Sequence, residues 1–177
     1  MSSTDYDPPR ARLTEAAYIV LGLLDLVGPA SSEDLKRAAQ MTTENFWSVP
    51  HTQLHGECER LAGEGLLVER EEHASRRRRT YRLTERGREL LGEWRNEPTA
   101  QLYELRDAST LKLFFGGDPV ALAASQVDAH RRQLELYERL HASLAEDESR
   151  GQVWALECGI GHEREFVRFW SQVLEEA

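Results

Sequence analysis

Apolar residues crowd the stretch "LTEAAYIVLGLLDLVG", 13 to 28, and leave almost no polar face; further down the chain they thin into narrower stripes. The crowded stretch predicts a helix capped by Thr14, whose hydroxyl can accept an early backbone N–H, with Leu13 as a hydrophobic staple and Gly28-Pro29 as the stop. A helix that is apolar all round needs cover from several sides. That is more than one small domain supplies, so this helix is a first pointer to a dimer. "SSEDLKRAAQM" predicts a second, shorter helix capped by Ser31 or Ser32. A third is expected from about Ser48 to Glu64, with Ser48 as its cap, Pro50 tolerated in its first turn and Gly65 ending it. On that helix Leu54, Cys58 and Leu61 share the inward face.

The period then changes to two. In "LLVEREE" Leu66 and Val68 are expected on one face, and in "RTYRLT" Tyr81 and Leu83, which predicts two strands paired as a hairpin across "HASRR". Thr84, followed by Glu85, caps a fourth helix running through Leu91 and Trp94. Helix, helix, helix, hairpin, helix is the order of a winged helix-turn-helix, in which the third helix enters the major groove and the hairpin lies along the flanking backbone. The expected fold is therefore mainly α with a small β-hairpin. Residues 1–12, polar with Pro8-Pro9, read as a flexible arm, 13–97 as the winged helix-turn-helix domain, and 98–177 as a helical dimerisation region that also offers room for an effector.

In that last region Asp118-Pro119 is an N-cap followed by a proline just inside the helix. Beyond it Val120, Ala123, Val127, His130, Leu134, Tyr137, His141 and Leu144 recur with a spacing averaging about 3.5, the spacing of a coiled-coil seam. Leu122, Ala129, Leu136 and Leu140 add a second stripe. The seam is read as a contact between two copies of the chain; the alternative is a helix pair within one chain.

Charge sharpens the picture. The 177 residues carry a formal net charge of −9, yet between Arg76 and Arg88 seven arginines face a single acid, Glu85. A basic finger on an acidic body implies a localised docking surface for a polyanion. No apolar run approaches the ~20 residues needed to span a bilayer, and "MSSTDYDPPRAR" lacks the basic-then-apolar layout of a signal peptide, so a cytoplasmic protein is expected. Two cysteines, Cys58 and Cys158, make neither a disulfide framework nor a zinc ribbon.

These features select candidate DNA contacts. Ser48, His51, Thr52, Gln53 and His55 on the third helix carry hydroxyls, an amide and imidazoles able to hydrogen-bond base edges or phosphates, and the helix N-terminus favours an anion. Arg76, Arg77, Arg78 and Arg79 in the wing, with Lys36 and Arg37 on the second helix, are expected to meet phosphate. The plain alternative is an amphipathic core helix with a polar outer face, or a wing that docks on an acidic protein.

The residues "FWSVPHTQLHGECERLAGEGLLVERE" and "RRRRTYRLTERGRELLGEW" resemble the PadR family of bacterial transcriptional regulators. Phe46-Trp47, Gln53-Leu54, Gly65-Leu66 and the run from Tyr81 to Gly87 match its pattern, while His55 stands where the family usually has tyrosine. "LRDASTLKLFFGGDP", a long helix and "CGIGHEREFVRFW" are similar to the branch with a long helical C-terminal extension. The resemblance implies C-terminal helices that embrace the partner's N-terminal helix, and a two-fold dimer on a pseudo-palindromic operator of double-stranded DNA. It also implies an aromatic effector, for which Phe114, Trp154 and Trp170 are the candidate contacts; the alternative is that these rings are core. No cofactor is implied. Cys158 and His162 are four apart but are only two ligands, no catalytic constellation stands out, and His130 and His141 read either as pH sensors or as hydrogen-bonded helix residues. The expected activity is that of a homodimeric repressor released by a small molecule, with an activator of the same fold as the alternative.

Overall fold

The computed structural model describes residues 13–72, 78–144 and 149–177. Along the chain it contains α1 Glu15–Val27, α2 Ser32–Met41, a 3-10 turn Thr43–Asn45, α3 His51–Gly63, β1 Leu67–Glu72, β2 Arg78–Leu83, α4 Glu85–Asn96, α5 Ala108–Phe114, α6 Pro119–Ala142 and α7 Arg150–Glu176. It divides into two compact units, Met1–Ala100 and Gln101–Ala177. Residues 1–12, read as an arm, Arg76 and Arg77 of the predicted wing, and the acidic run Glu146-Asp147-Glu148 lie outside the described residues.

In the first unit local chemistry sets each boundary. The Thr14 hydroxyl accepts from the Ala17 amide at 3.2 Å and donates to buried Glu57 at 3.0 Å, so the cap of α1 also pins it to α3. Ser31 and Asp34 form a reciprocal capping box at the start of α2. The third helix departs from expectation. It begins at His51 with Pro50 as its N-cap and no side-chain cap, while Ser48 lies outside it. The cause is Pro50, whose ring disfavours helical geometry in the preceding residue, so Ser48 and Val49 cannot join the helix. At the other end Gly65 takes φ +72°. It allows the Gly65 amide to bond Ala62 and the Leu66 amide to bond Leu61 at 2.9 Å, the paired closure of a Schellman turn.

That turn also shifts the first strand. Leu66 belongs to the helix closure, and the buried strand residue is Leu67, with Val68 half-buried on the opposite face. The register pairs Leu67 with Leu83, Val68 with Arg82, Glu69 with Tyr81, Arg70 with Thr80, Glu71 with Arg79 and Glu72 with Arg78. Ala30, between α1 and α2, adds an isolated bridge to Tyr81. Thr84 then locks the hairpin to the end of α3: its hydroxyl donates towards the Gly65 and Leu66 carbonyls, both at 3.0 Å, and accepts from the Gly87 amide at 3.0 Å. One continuous core of Val20, Leu21, Leu35, Leu54, Leu61, Leu66, Tyr81 and Leu91 joins all these elements. Outside it, Tyr18 stacks on Trp94 with centroids 4.6 Å apart, and Arg95 pairs with Asp25 at 2.8 Å. Six α1 residues are buried, with Leu26 and Val27 left exposed at its end.

The second unit is an antiparallel helix pair with α5 at one end. Asp107 caps α5 and Asp118 caps α6, the latter accepting from the Val120 and Ala121 amides. The stripe read as an inter-chain seam packs instead within the chain. Ala123 and Val127 meet Trp170, His130 hydrogen-bonds Glu163 at 2.6 Å and stacks on Phe166, the Tyr137 ring packs on Gly159, and His141 lies 3.5 Å from Glu157. A stripe marks only that a helix face is covered, and here α7 of the same chain covers it. The α7 helix runs unbroken through Gly159 and Gly161. Leu136 and Leu140 of the second stripe remain exposed. Among the described residues no helix is long and apolar enough to cross a membrane.

Candidate nucleic-acid interface

The inward face of α3 is fixed by Leu54, Cys58 and Leu61, all buried. Burial pushes the Cys58 thiol up to about 12, with the Glu57 and Glu59 carboxylates adding to the effect. It is a packing residue, as its position on the inward face requires. The outward face is exposed at His51, Thr52, Gln53, His55, Gly56 and Glu59. His51, His55 and Glu59 follow one another at intervals of four and form a single row. Because α3 has no side-chain cap, the positive end of its dipole is open to an outside anion. Ser48 is exposed in the approach to the helix.

Neighbouring elements reach this row. On α2, Ser32 Oγ lies 3.2 Å from His55 Nδ1, and Glu33 lies 3.5 Å from His51 Nε2 and 3.8 Å from Lys36 Nζ. Arg37 pairs with Asp34 at 2.6 Å with its side chain exposed. From β2, Arg79 Nη1 donates to Glu59 Oε1 at 3.0 Å while its Nε lies 3.3 Å from Glu69 Oε1. Glu69, then the Tyr81 hydroxyl, and Glu59 more weakly, hold this guanidinium above its ordinary range. So α2, α3 and the base of the wing form one surface. Arg78 closes the described strand ladder opposite Glu72.

Two cations were not singled out from the sequence. Arg70 and Arg82 are exposed on the hairpin face opposite buried Leu67, Tyr81 and Leu83. The signal was present as parity: once Tyr81 and Leu83 are inside, Arg82 must be outside, and its neighbour across the ladder places Arg70 beside it.

Residues 20–93 match the model of the transcriptional regulator PadR-like family, from the middle of α1 into the last turn of α4, and residues 105–177 match that of the virulence activator alpha C-terminal region. Residues 20–93 thus form a PadR-like domain. A curated relative, the negative transcriptional regulator PadR of Bacillus subtilis, is 29% identical over 102 residues, spanning 55% of this chain and about half, 54%, of the relative. The crystal structure of Bacillus subtilis PadR in complex with operator DNA is 22% identical, covers 90% of this chain and 97% of that one, and superposes with a TM-score of 0.80. The same protein in complex with p-coumaric acid gives 0.73 at 24% identity, over 90% and 96% of the two chains. The Vibrio cholerae virulence activator AphA gives 0.68 at 22% identity, over 91% and 96%. The PadR-like fold is thus a winged helix followed by a helical extension, and the family's members are transcriptional regulators.

The three aromatic residues expected at an effector site do not converge in this PadR-like chain. Trp170 is fully buried between α6 and α7, with its indole N–H unpartnered, whereas Trp154 is 58% exposed under the Arg150 guanidinium. Sixteen residues of continuous helix separate them, about 24 Å at 1.5 Å per residue. Phe114 is exposed and meets Phe115 edge to face. Trp170 is a core residue, and one protomer does not bring Trp154 to it.

Proposed function

We propose that this PadR-like regulator is a sequence-specific reader of double-stranded DNA that acts as a homodimeric repressor in the cytoplasm. The observation that carries the reading is the exposed, acid-free first half of α3, with His51, Thr52, Gln53 and His55 on its surface beside an uncapped helix N-terminus. Those groups suit base edges and phosphate. Lys36, Arg37, Arg70 and Arg82 flank them with cations for phosphate, and the wing arginines 76–78 add to these; such contacts position the protein without carrying sequence information. Residues 13–97 serve as the DNA-binding domain. Residues 98–177 pair two protomers, so that two wings on a two-fold axis meet a pseudo-palindromic operator. A small aromatic effector releases the dimer by changing the separation of its two reading heads. The operator and p-coumaric acid complexes of Bacillus subtilis PadR support these assignments by likeness of fold.

A second reading, an activator, is favoured by one observation: residues 105–177, nearly all of the C-terminal unit, match the virulence activator model. The two readings share the same DNA contact and differ in where the operator lies relative to the promoter. The test is fluorescence-anisotropy binding to the DNA upstream of the protein's own gene with scrambled competitor at two salt concentrations, followed by transcription from that promoter with and without protein. Binding that survives competitor, falls steeply with salt and lowers transcription is expected. Raised transcription selects the activator, and salt-insensitive binding or none removes the operator from the upstream region.

A further inference from the structure

The geometry points to Glu59 as the residue that limits the sequence-blind part of the affinity of the DNA-binding surface: as the internal counter-ion of Arg79 it holds back a wing cation from phosphate. This rests on the DNA-reading function proposed above. Glu59 is the acid of the exposed α3 row that also carries His51 and His55, and a carboxylate on a face that meets DNA repels phosphate. Here its charge is matched by a cation of the same chain. Its Oε1 accepts from Arg79 Nη1 at 3.0 Å and lies 3.7 Å from His55 Nε2, whose Nδ1 in turn faces Ser32 Oγ at 3.2 Å. Arg79 is gripped from the other side by Glu69, 3.3 Å from its Nε. A chain of polar contacts therefore crosses from α2 over α3 to the base of the wing.

The strand register explains why Arg79 takes this role. It pairs with Glu71 on the face of the hairpin that also carries Glu69 and Tyr81, so its guanidinium lies back over α3, while Arg70 and Arg82 occupy the opposite face. One exposed ion pair is worth little, of the order of 0–1 kcal/mol, and a phosphate can displace a single carboxylate. Two carboxylates on one guanidinium leave the cluster with a net negative charge, which a phosphate cannot replace without first uncovering an acid. Phosphate contacts are sequence-blind. Withholding one of them lowers the affinity for every sequence, the operator included, while the base contacts of α3 are untouched.

The experiment compares wild type, Glu59→Gln, Arg79→Gln and the double variant, binding a scrambled duplex across a series of salt concentrations, with thermal melts to confirm that each is folded. Glu59→Gln should bind the scrambled duplex more tightly and steepen the log–log salt slope by about 0.9, the value for one added phosphate contact. Arg79→Gln should keep the wild-type slope, and the double variant should return to it. An unchanged slope in Glu59→Gln, or an equal steepening with Arg79 already absent, overturns the proposal while leaving DNA reading intact. A wild type with no salt-dependent DNA binding overturns both.

Discussion

Gly87 shows how one atom fixes the wing. A Cβ built at this position would sit 2.3 Å from the Leu66 carbonyl oxygen, and that oxygen belongs to the turn closing α3. The contact is with backbone held by Thr84 on the same carbonyl, so it cannot yield by a side-chain rotation. Gly87→Ala is expected to destabilise the domain by about 1–3 kcal/mol, the range for overpacking, read as a lower urea midpoint with an unchanged m-value. Cys58 offers a second test at the same scale. Its thiol is fully buried and, with burial as the main cause, raised to about 12, so the folded state offers almost no thiolate at neutral pH. Its alkylation should follow the rate of global unfolding. Labelling of Cys58 in native protein within minutes would show that α3 opens locally. At this scale much was legible in the sequence, because capping is decided within four residues: Thr14, Ser31, Thr84 and Asp118 all cap where their types and spacing indicate. Ser48 failed because the proline two residues later controls the backbone between them.

Between elements, the hairpin and α3 divide the labour that the arginine run first suggested. Arg79 turns towards Glu59 and Glu69, so a test of the wing's charge is best made at its neighbours. Replacing Arg77 and Arg78 together with alanine is expected to weaken binding to all DNA sequences alike and to flatten the salt slope by roughly one to two. Anisotropy titrations on operator and scrambled duplexes measure it, and an unaltered slope removes the wing from the interface. The candidate surface itself was readable from alternation and helical period, since both His51 and His55 are exposed opposite Leu54 and Cys58. What could not be read is pairing between distant residues. Nothing in a sequence distinguishes an arginine that meets phosphate from one that meets a glutamate twenty positions earlier. The one-residue shift of the first strand has the same origin: Leu66 and Leu67 are both apolar, and only the Schellman turn decides which of them starts the ladder.

At the scale of the whole molecule the question is what covers the remaining apolar surface. Periodicity found the stripe on α6 but not its partner, and α7 of the same chain takes it. Leu136 and Leu140, one turn apart on α6, are left 39% and 37% exposed. A pair of leucines on a helix whose other face is already packed suits contact with a second helix, and in the proposed homodimer a second copy of the chain would present the same pair across a two-fold axis. Leu136→Glu with Leu140→Glu places like charges across that axis at positions that bear little on the fold of a single protomer. Sedimentation equilibrium should give about twice 20.3 kDa for the wild type and a single chain for the variant. Because half-site contacts join only through the dimer, the variant should also lose the preference for a two-half-site duplex while keeping its far-UV circular dichroism. A variant that remains dimeric would move the interface away from this face of α6, and retained operator preference in a monomer would remove the two-fold axis from the recognition mechanism.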